Sequence, residues 1–266
     1  RSRRLTNDSL DSSIDGLILP GLFNLSNRVG EIKASNDRTK KIVNSLYFTG
    51  TIDYARAVYL TVTARNDWSS SLSLNHNSYF YPSVSFSKII NEIVKLPKFI
   101  TFAKFRASWA RGRQDTDPYW NSAVYTINSF TPNNTPMASY PSTLYADDLM
   151  AQRQDSYEIG ADLRFFNNRL GFDFAYFRKS VTDMITTVPL SLASGYSKRQ
   201  INGREIVTKG YELAINGKPI ETTSFTWSSQ INLGLWKDYL WKLAPGETKY
   251  LGFYREKERI GTWRGR

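Results

Sequence analysis

The residues best suited to contact a ligand lie in one stretch, where Tyr119, Trp120, Tyr125, Phe130 and Tyr140 fall within a few tens of positions of Arg111 and Arg113. Flat aromatic faces stack on sugar rings and peptide side chains, and neighbouring cations fix the orientation of what is stacked. The same rings would equally serve to pack a long loop against itself or against a covering protein. Other combinations carry less. The single histidine, His76, sits in the polar run Asn75-His76-Asn77 and cannot build a histidine-based zinc site alone. Ser85 and Lys88 have the S-x-x-K spacing of penicillin-recognising enzymes, but no K-T-G follows, and Ser85 falls in a strand pattern. Asp147-Asp148 reads as an exposed acidic pair rather than a cation site. No glycine-rich phosphate loop or nucleophile elbow is present, and the absence of cysteine removes disulfides, thiolate metal sites and cysteine nucleophiles. The chain is therefore expected to be no enzyme, with no catalytic residue, metal or cofactor.

The elements that must hold such a loop are strands. In Tyr157-Glu158-Ile159-Gly160-Ala161-Asp162-Leu163-Arg164-Phe165, one set of alternate positions is Tyr, Ile, Ala, Leu, Phe and the other is Glu, Gly, Asp, Arg. Side chains at period two point to opposite faces of a strand, so one face meets an apolar medium and the other a polar one. Strands are expected near 46–53, 57–65, 79–87, 101–109, 157–166, 170–181, 207–216 and 224–235, with a weaker one near 22–26. The last sets Phe225, Trp227, Ile231, Leu233 and Leu235 against Ser224, Thr226, Ser228, Gln230 and Asn232, and a face of Ser, Thr, Gln and Asn suits water better than a packed core. Between Lys88 and Lys95, apolar residues at 89, 90, 93 and 94 switch to helical spacing. A small amphipathic helix capping a turn is expected there, ended by Pro97.

Connections alternate in length. Short turns are expected around Ala55, at Asn167-Asn168 and at Asn216-Gly217, whereas 66–78, 110–156 and 182–206 are long. An up-and-down barrel places every second connection on one side of the membrane, with short periplasmic turns and long extracellular loops. A sandwich supplies no reason for that alternation.

Composition is compatible with this reading. Aromatic residues make up 14% of 266 residues, including 16 Tyr and 7 Trp, and rings with a polar edge gather at membrane interfaces. The formal net charge of +11 has no single focus and lies on no basic helix, so it reads as solvated charge rather than as a nucleic-acid footprint. No stretch is long enough for a transmembrane helix. Arg1-Ser2-Arg3-Arg4 is followed by no apolar signal core, which leaves either a cytosolic chain or one whose true N-terminus lies elsewhere.

Several segments in order resemble the SusC/RagA family of TonB-dependent outer-membrane transporters. They begin with Asn66-Asp67-Trp68-Ser69-Ser70-Ser71, Tyr79-Phe80-Tyr81-Pro82-Ser83-Val84-Ser85 and Phe105-Arg106-Ala107-Ser108-Trp109-Ala110. The series continues through Ser156 to Leu170, Asp173, Tyr176, Pro189, Ser194-Gly195-Tyr196, Asn202-Gly203 and Thr208-Lys209-Gly210-Tyr211-Glu212-Leu213, and ends at Ile260-Gly261-Thr262-Trp263. The resemblance covers roughly residues 44 to 263. Ala151-Gln152 stand where the family commonly has Pro-Glu.

The resemblance implies an all-β, antiparallel, up-and-down transmembrane β-barrel, of which some eight or nine strands lie here, in the bacterial outer membrane. It implies import of glycans or peptides, partnership with TonB through segments outside this chain, a SusD-like lipoprotein lid, and contact with outer-membrane lipid. On this reading 1–43 is a polar segment and loop with one weak strand, 44–236 forms the barrel strands and their long loops, and 237–266 leads toward a further strand. The plug and terminal strand of the family are not recognisable, so the chain is expected to be an internal portion of such a transporter. Glu158, Asp162, Arg164, Asp173 and Glu212 are expected to form a charge ladder facing the lumen. Two other classes remain open: a small self-contained outer-membrane barrel acting as adhesin or pore, and a soluble all-β extracellular binding module.

Overall fold

The computed structural model describes residues 1–13, 16–29, 33–128, 135, 137–247 and 257–260. One sheet dominates. Its strands are β1 (Ser2–Ser13), β2 (Lys33–Tyr54), β3 (Val58–Ser69), β4 (Ser78–Ile89), β5 (Ile100–Gln114), β9 (Gln152–Phe165), β10 (Leu170–Thr182), β13 (Glu205–Glu221), β14 (Thr226–Lys242) and β15 (Glu258–Ile260). They form a 10-stranded sheet whose neighbours follow chain order, and every ladder in it is antiparallel. This is the up-and-down arrangement that the alternating connections require.

The register joins the strands' apolar faces into one surface. Directly opposed residues of an antiparallel pair share a face. A single cross-strand row runs Ile52, Leu60, Phe86, Ala107, Ile159, Tyr176, Tyr211, Leu235. Among the described residues no second layer covers it: Ile52 is 71% exposed and Leu235 73%. A soluble sandwich would bury such a band under a second sheet, whereas a membrane strand leaves it to lipid. The opposite face carries Thr51 and Thr61, whose hydroxyls meet at 3.1 Å, and the charged side chains of Arg106, Glu158 and Asp173.

The tight turns gather at one end. Ala55 and Arg56 adopt φ of 51° and 55°, and Phe166, Asn167 and Asn168 adopt 51°, 54° and 66°; left-handed pairs match the twist of flanking strands. The Asn pair tolerates this conformation more easily than Ala55 or Arg56 do.

Three sequence expectations are corrected. Residues 22–26 form turns, not a strand, organised by Asn27. Its amide accepts from Leu19 N and donates to the carbonyls of Leu19 and Leu22 at 2.9, 2.8 and 2.7 Å. No helix forms over 88–95. β4 runs through Ile89, Ile90 N donates to Ala103 O, and only one helical turn remains, with Ile93 N and Val94 N both reaching Ile90 O. Asn91 then bridges Thr101 O and Ala103 N, so ladder bonds between the strands outcompete the helical spacing. Asn216-Gly217 is not a turn either. It lies inside β13 beside a register shift between Gly217 and Ile220, and the chain reverses later, where Thr222 N donates to Phe225 O at 2.8 Å.

The other end of the sheet carries the long connections, and most fully buried side chains lie at that end. Leu72, Tyr79 and Ala151 form a cluster packed by Tyr81, and Leu149, Leu240 and Val207 are completely covered. Short strands organise this layer: β6 (Thr126–Asn128) pairs with β7 (Met137–Ser139), and β8 (Thr143–Leu144), β12 (Lys198–Asn202) and β11 (Ile185–Pro189) form a three-stranded sheet.

Candidate ligand-binding loop layer

β12 runs antiparallel to β11 and parallel to β8, so two loops far apart in sequence become one unit. Ser197 N donates to Ser142 O at 2.8 Å. Asn202 completes the joint: its side-chain oxygen accepts from Met150 N, and its amide nitrogen donates to the carbonyls of Met150 and Asp183, at 2.9, 2.9 and 2.8 Å. Gly203 follows because a Cβ there would lie 2.9 Å from Ala244 Cβ and Pro245 Cδ, which lets the 243–247 segment close over the layer. That segment is held by Arg204, whose guanidinium pairs with Glu247 while their side chains are only 11% and 9% exposed.

Above this joint the rings of Tyr125, Tyr140 and Tyr196 converge. Tyr140 lies 5.4 Å from each of the other two, edge-on to Tyr125 and tilted to Tyr196. The Tyr140 and Tyr196 hydroxyls are hydrogen-bonded to each other, and that bond holds the Tyr140 phenol above its usual titration range. Tyr125 and Tyr140 remain 64% and 54% exposed, so the cluster offers aromatic surface to solvent.

Of the residues nominated from sequence, Tyr125 and Tyr140 are thus brought together, joined by Tyr196, which aromatic spacing within one loop could not reveal. Tyr119 stands apart at φ 65°, with its hydroxyl accepting from Lys40 N at 3.3 Å. Trp120 is exposed beside it. Phe130 lies outside the described residues. Arg111 and Arg113 belong to β5 rather than to the loop: Arg111 Nε is 2.8 Å from Asp155, and Arg113 reaches Ala151 O at 3.2 Å.

A second polar assembly sits where β2 to β5 meet the layer. Asp67 accepts from Arg65 at 2.8 and 3.0 Å and from the Tyr81 hydroxyl at 2.6 Å. Asp115 takes Lys41 Nζ at 2.7 Å, Ser71 Oγ at 3.0 Å and Ser69 Oγ. The alternation Asp67, Ser69, Ser71 therefore places three polar groups on one face, each with a partner. Arg3, Lys41, Arg65, Tyr79 and Arg113 line a cleft of about 370 Å³ there. Lower on the polar face, Arg106 binds Asp173 at 2.7 and 3.0 Å and Glu158 at 3.2 Å.

The match to the family described as "TonB dependent receptor-like, beta-barrel" runs from residue 6 to residue 261. The chain belongs to that family. Among curated relatives, TonB-dependent receptor P3 of Formosa agariphila is 30% identical over 229 residues, covering 80% of this chain and 23% of the relative. TonB-dependent receptor SusC of Bacteroides thetaiotaomicron is 27% identical over 198 residues, covering 70% and 20%. The RagAB peptide transporter has the same fold, with a TM-score of 0.81 at 21% identity, covering 94% of this chain and 28% of that one. The Escherichia coli outer-membrane transporter YddB is similar at a TM-score of 0.57. The chain thus spans 20–23% of the length of these curated relatives. As a member of the TonB-dependent receptor barrel family it is a bacterial outer-membrane protein, in a family of transporters and not of enzymes. Its outward apolar band is the lipid contact of a barrel wall.

Proposed function

We propose that this chain supplies part of the wall and outer loop layer of an importer that takes up glycans or peptides together with a SusD-like surface lipoprotein, driven through TonB. The long connections 66–78, 110–156 and 182–206 face the cell exterior in this reading, and the wall extends beyond 44–236 into β1, the start of β2, the end of β14 and β15. The observation that carries the proposal is the ring cluster of Tyr125, Tyr140 and Tyr196, the first two exposed, set on two loops that hydrogen bonds and a small sheet fuse into one layer. Stacked rings give broad apolar contact while hydroxyls orient a polar ligand. A lid lipoprotein would meet the same layer, which couples capture to closure.

Two experiments test this. In cells growing on candidate oligosaccharides or oligopeptides, Tyr140→Ala should weaken capture about tenfold, the loss of one stacked ring. Unchanged uptake and binding with an intact barrel would reduce the rings to loop packing. Separately, gentle detergent extraction should recover a lipoprotein of the lid type with the natively expressed receptor. Its absence, with capture intact, would remove the lid from the proposal.

A further inference from the structure

β4 and β5 separate before either strand ends. Their ladder runs from Ile89 and Lys104 to Ser83 and Ala110, beyond which β4 stays on β3 as far as Ser78 and β5 stays on β9 as far as Gln114. Pro82, which has no N–H to donate to a ladder, stands at the parting. A cleft follows the opened seam at the long-loop end of the polar face. It consists of two cavities, of about 390 and 370 Å³, that share Arg1, Ser45 and Arg65.

The charge of this cleft is lopsided. Arg1, Arg3, Lys41, Arg65, Arg111 and Arg113 line it against Asp67 and Asp115 alone. Both acids are engaged, Asp67 by Arg65 and the Tyr81 hydroxyl, Asp115 by Lys41, Ser69 and Ser71. Arg111 turns to Asp155. Arg1, Arg3 and Arg113 are left with no ion pair among the described residues. Arg3 is exposed, and Arg113 meets the Ala151 carbonyl while its Nε is buried without a hydrogen-bond partner. Guanidinium groups without a counter-charge around one cleft favour an oxyanion, which accepts paired hydrogen bonds from them.

The rest of the lining says what carries that oxyanion. Ser45, Thr49, Thr63 and Ser83 supply hydroxyls, and the rings of Tyr79 and Tyr81 lie stacked with centroids 6.1 Å apart. An extended peptide is read through pockets for alternate side chains, whereas sugar hydroxyls exchange hydrogen bonds with Ser and Thr, and sugar rings lie on tyrosine faces. We propose that the cleft holds the carboxylate or sulfate-ester groups of an acidic oligosaccharide. The inference rests on the import reading and names the charge class of its ligand.

The test uses the natively expressed receptor, purified in detergent, on an array of neutral, uronate-bearing and sulfate-bearing oligosaccharides, with oligoglutamate as the acidic peptide. Acidic saccharides should be retained at least tenfold above neutral ones of equal length, and the set retained, uronate or sulfate, identifies the oxyanion. R3Q/R113Q should lower that retention at least tenfold. R38Q removes a cation that pairs with Asp8 away from the cleft, and should leave it unchanged. Equal retention by R3Q/R113Q and the parent overturns the proposal, the result expected if the protein's own segments filled the cleft. Should that variant fail to assemble, the parent decides: retention of acidic saccharides should fall about tenfold between about 0.05 and 0.5 M salt, and salt-independent retention overturns the proposal. Equal or better retention of oligoglutamate overturns the saccharide assignment, and an array that retains no acidic saccharide overturns the whole inference. Retention of neutral saccharides alone overturns it while leaving import standing, whereas full uptake by Tyr140→Ala bears on the import reading and not on this cleft.

Discussion

Arg106 organises the polar face of the wall, and a glycine makes room for it. Its guanidinium crosses Gly160, where a Cβ would lie 2.8 Å from Arg106 Cζ and 2.9 Å from Phe174 O. It thereby reaches Asp173 two strands away as well as Glu158. Arg106→Gln should lower stability by about 1 kcal/mol, since both acids are partly hydrated, while Gly160→Val should cost more because backbone must shift; a thermal melt in detergent ranks them. Glu212 behaves otherwise. The sequence alternation assigns it to the same face as Glu158 and Asp173, which the register bears out, but it makes no ion pair among the described residues. Glu212→Ala should therefore change Tm by no more than the experimental scatter, and a drop matching that of Arg106→Gln would show a partner outside the described residues. Alternation fixes which face a charge occupies. It does not fix which charge reaches it, because Arg106 finds Asp173 through a vacancy that only the three-dimensional register creates.

At the scale of elements, strand identity was legible because each carries an apolar and a polar face, and the ends were less so. β2 begins at Lys33 and β13 continues to Glu221, both beyond the apolar stretch that marks a membrane crossing, since a ladder continues as long as a neighbour offers backbone partners. The loop layer was least legible. Its small strands are two to five residues long, too short for periodicity to register, and its joints are side-chain bonds between distant segments. Asn202-Gly203 shows what such a motif accomplishes. Asn202→Ala would leave the Met150 amide and the carbonyls it serves without partners, about 1–3 kcal/mol if they stay buried. Limited proteolysis should then cut within 182–206 while the wall strands stay protected. Equal resistance in variant and parent would mean that the small sheet alone fuses the loops.

For the whole molecule, the decisive property is that the sheet has no dry side. Soluble domains bury their apolar faces against another layer, yet here Leu46, Ile52 and Leu235 are each about seven-tenths exposed, and the covering apolar phase has to be the bilayer. That assignment fixes the cost of a misplaced charge by depth rather than by contacts. Phe174 lies on the outward face between Ala161 and Leu213, well inside the apolar band, and Phe174→Arg should cost about 2–4 kcal/mol for a cation near the bilayer midplane. On the polar face the wall meets water, and Asn232→Arg, opposite Ala214, should cost less than 1 kcal/mol by comparison. Reversible unfolding from lipid vesicles measures both. The asymmetry between the variants is the prediction, because a sandwich packed on its apolar face would also reject Phe174→Arg, but in detergent-free buffer, where a barrel wall aggregates before it can be melted.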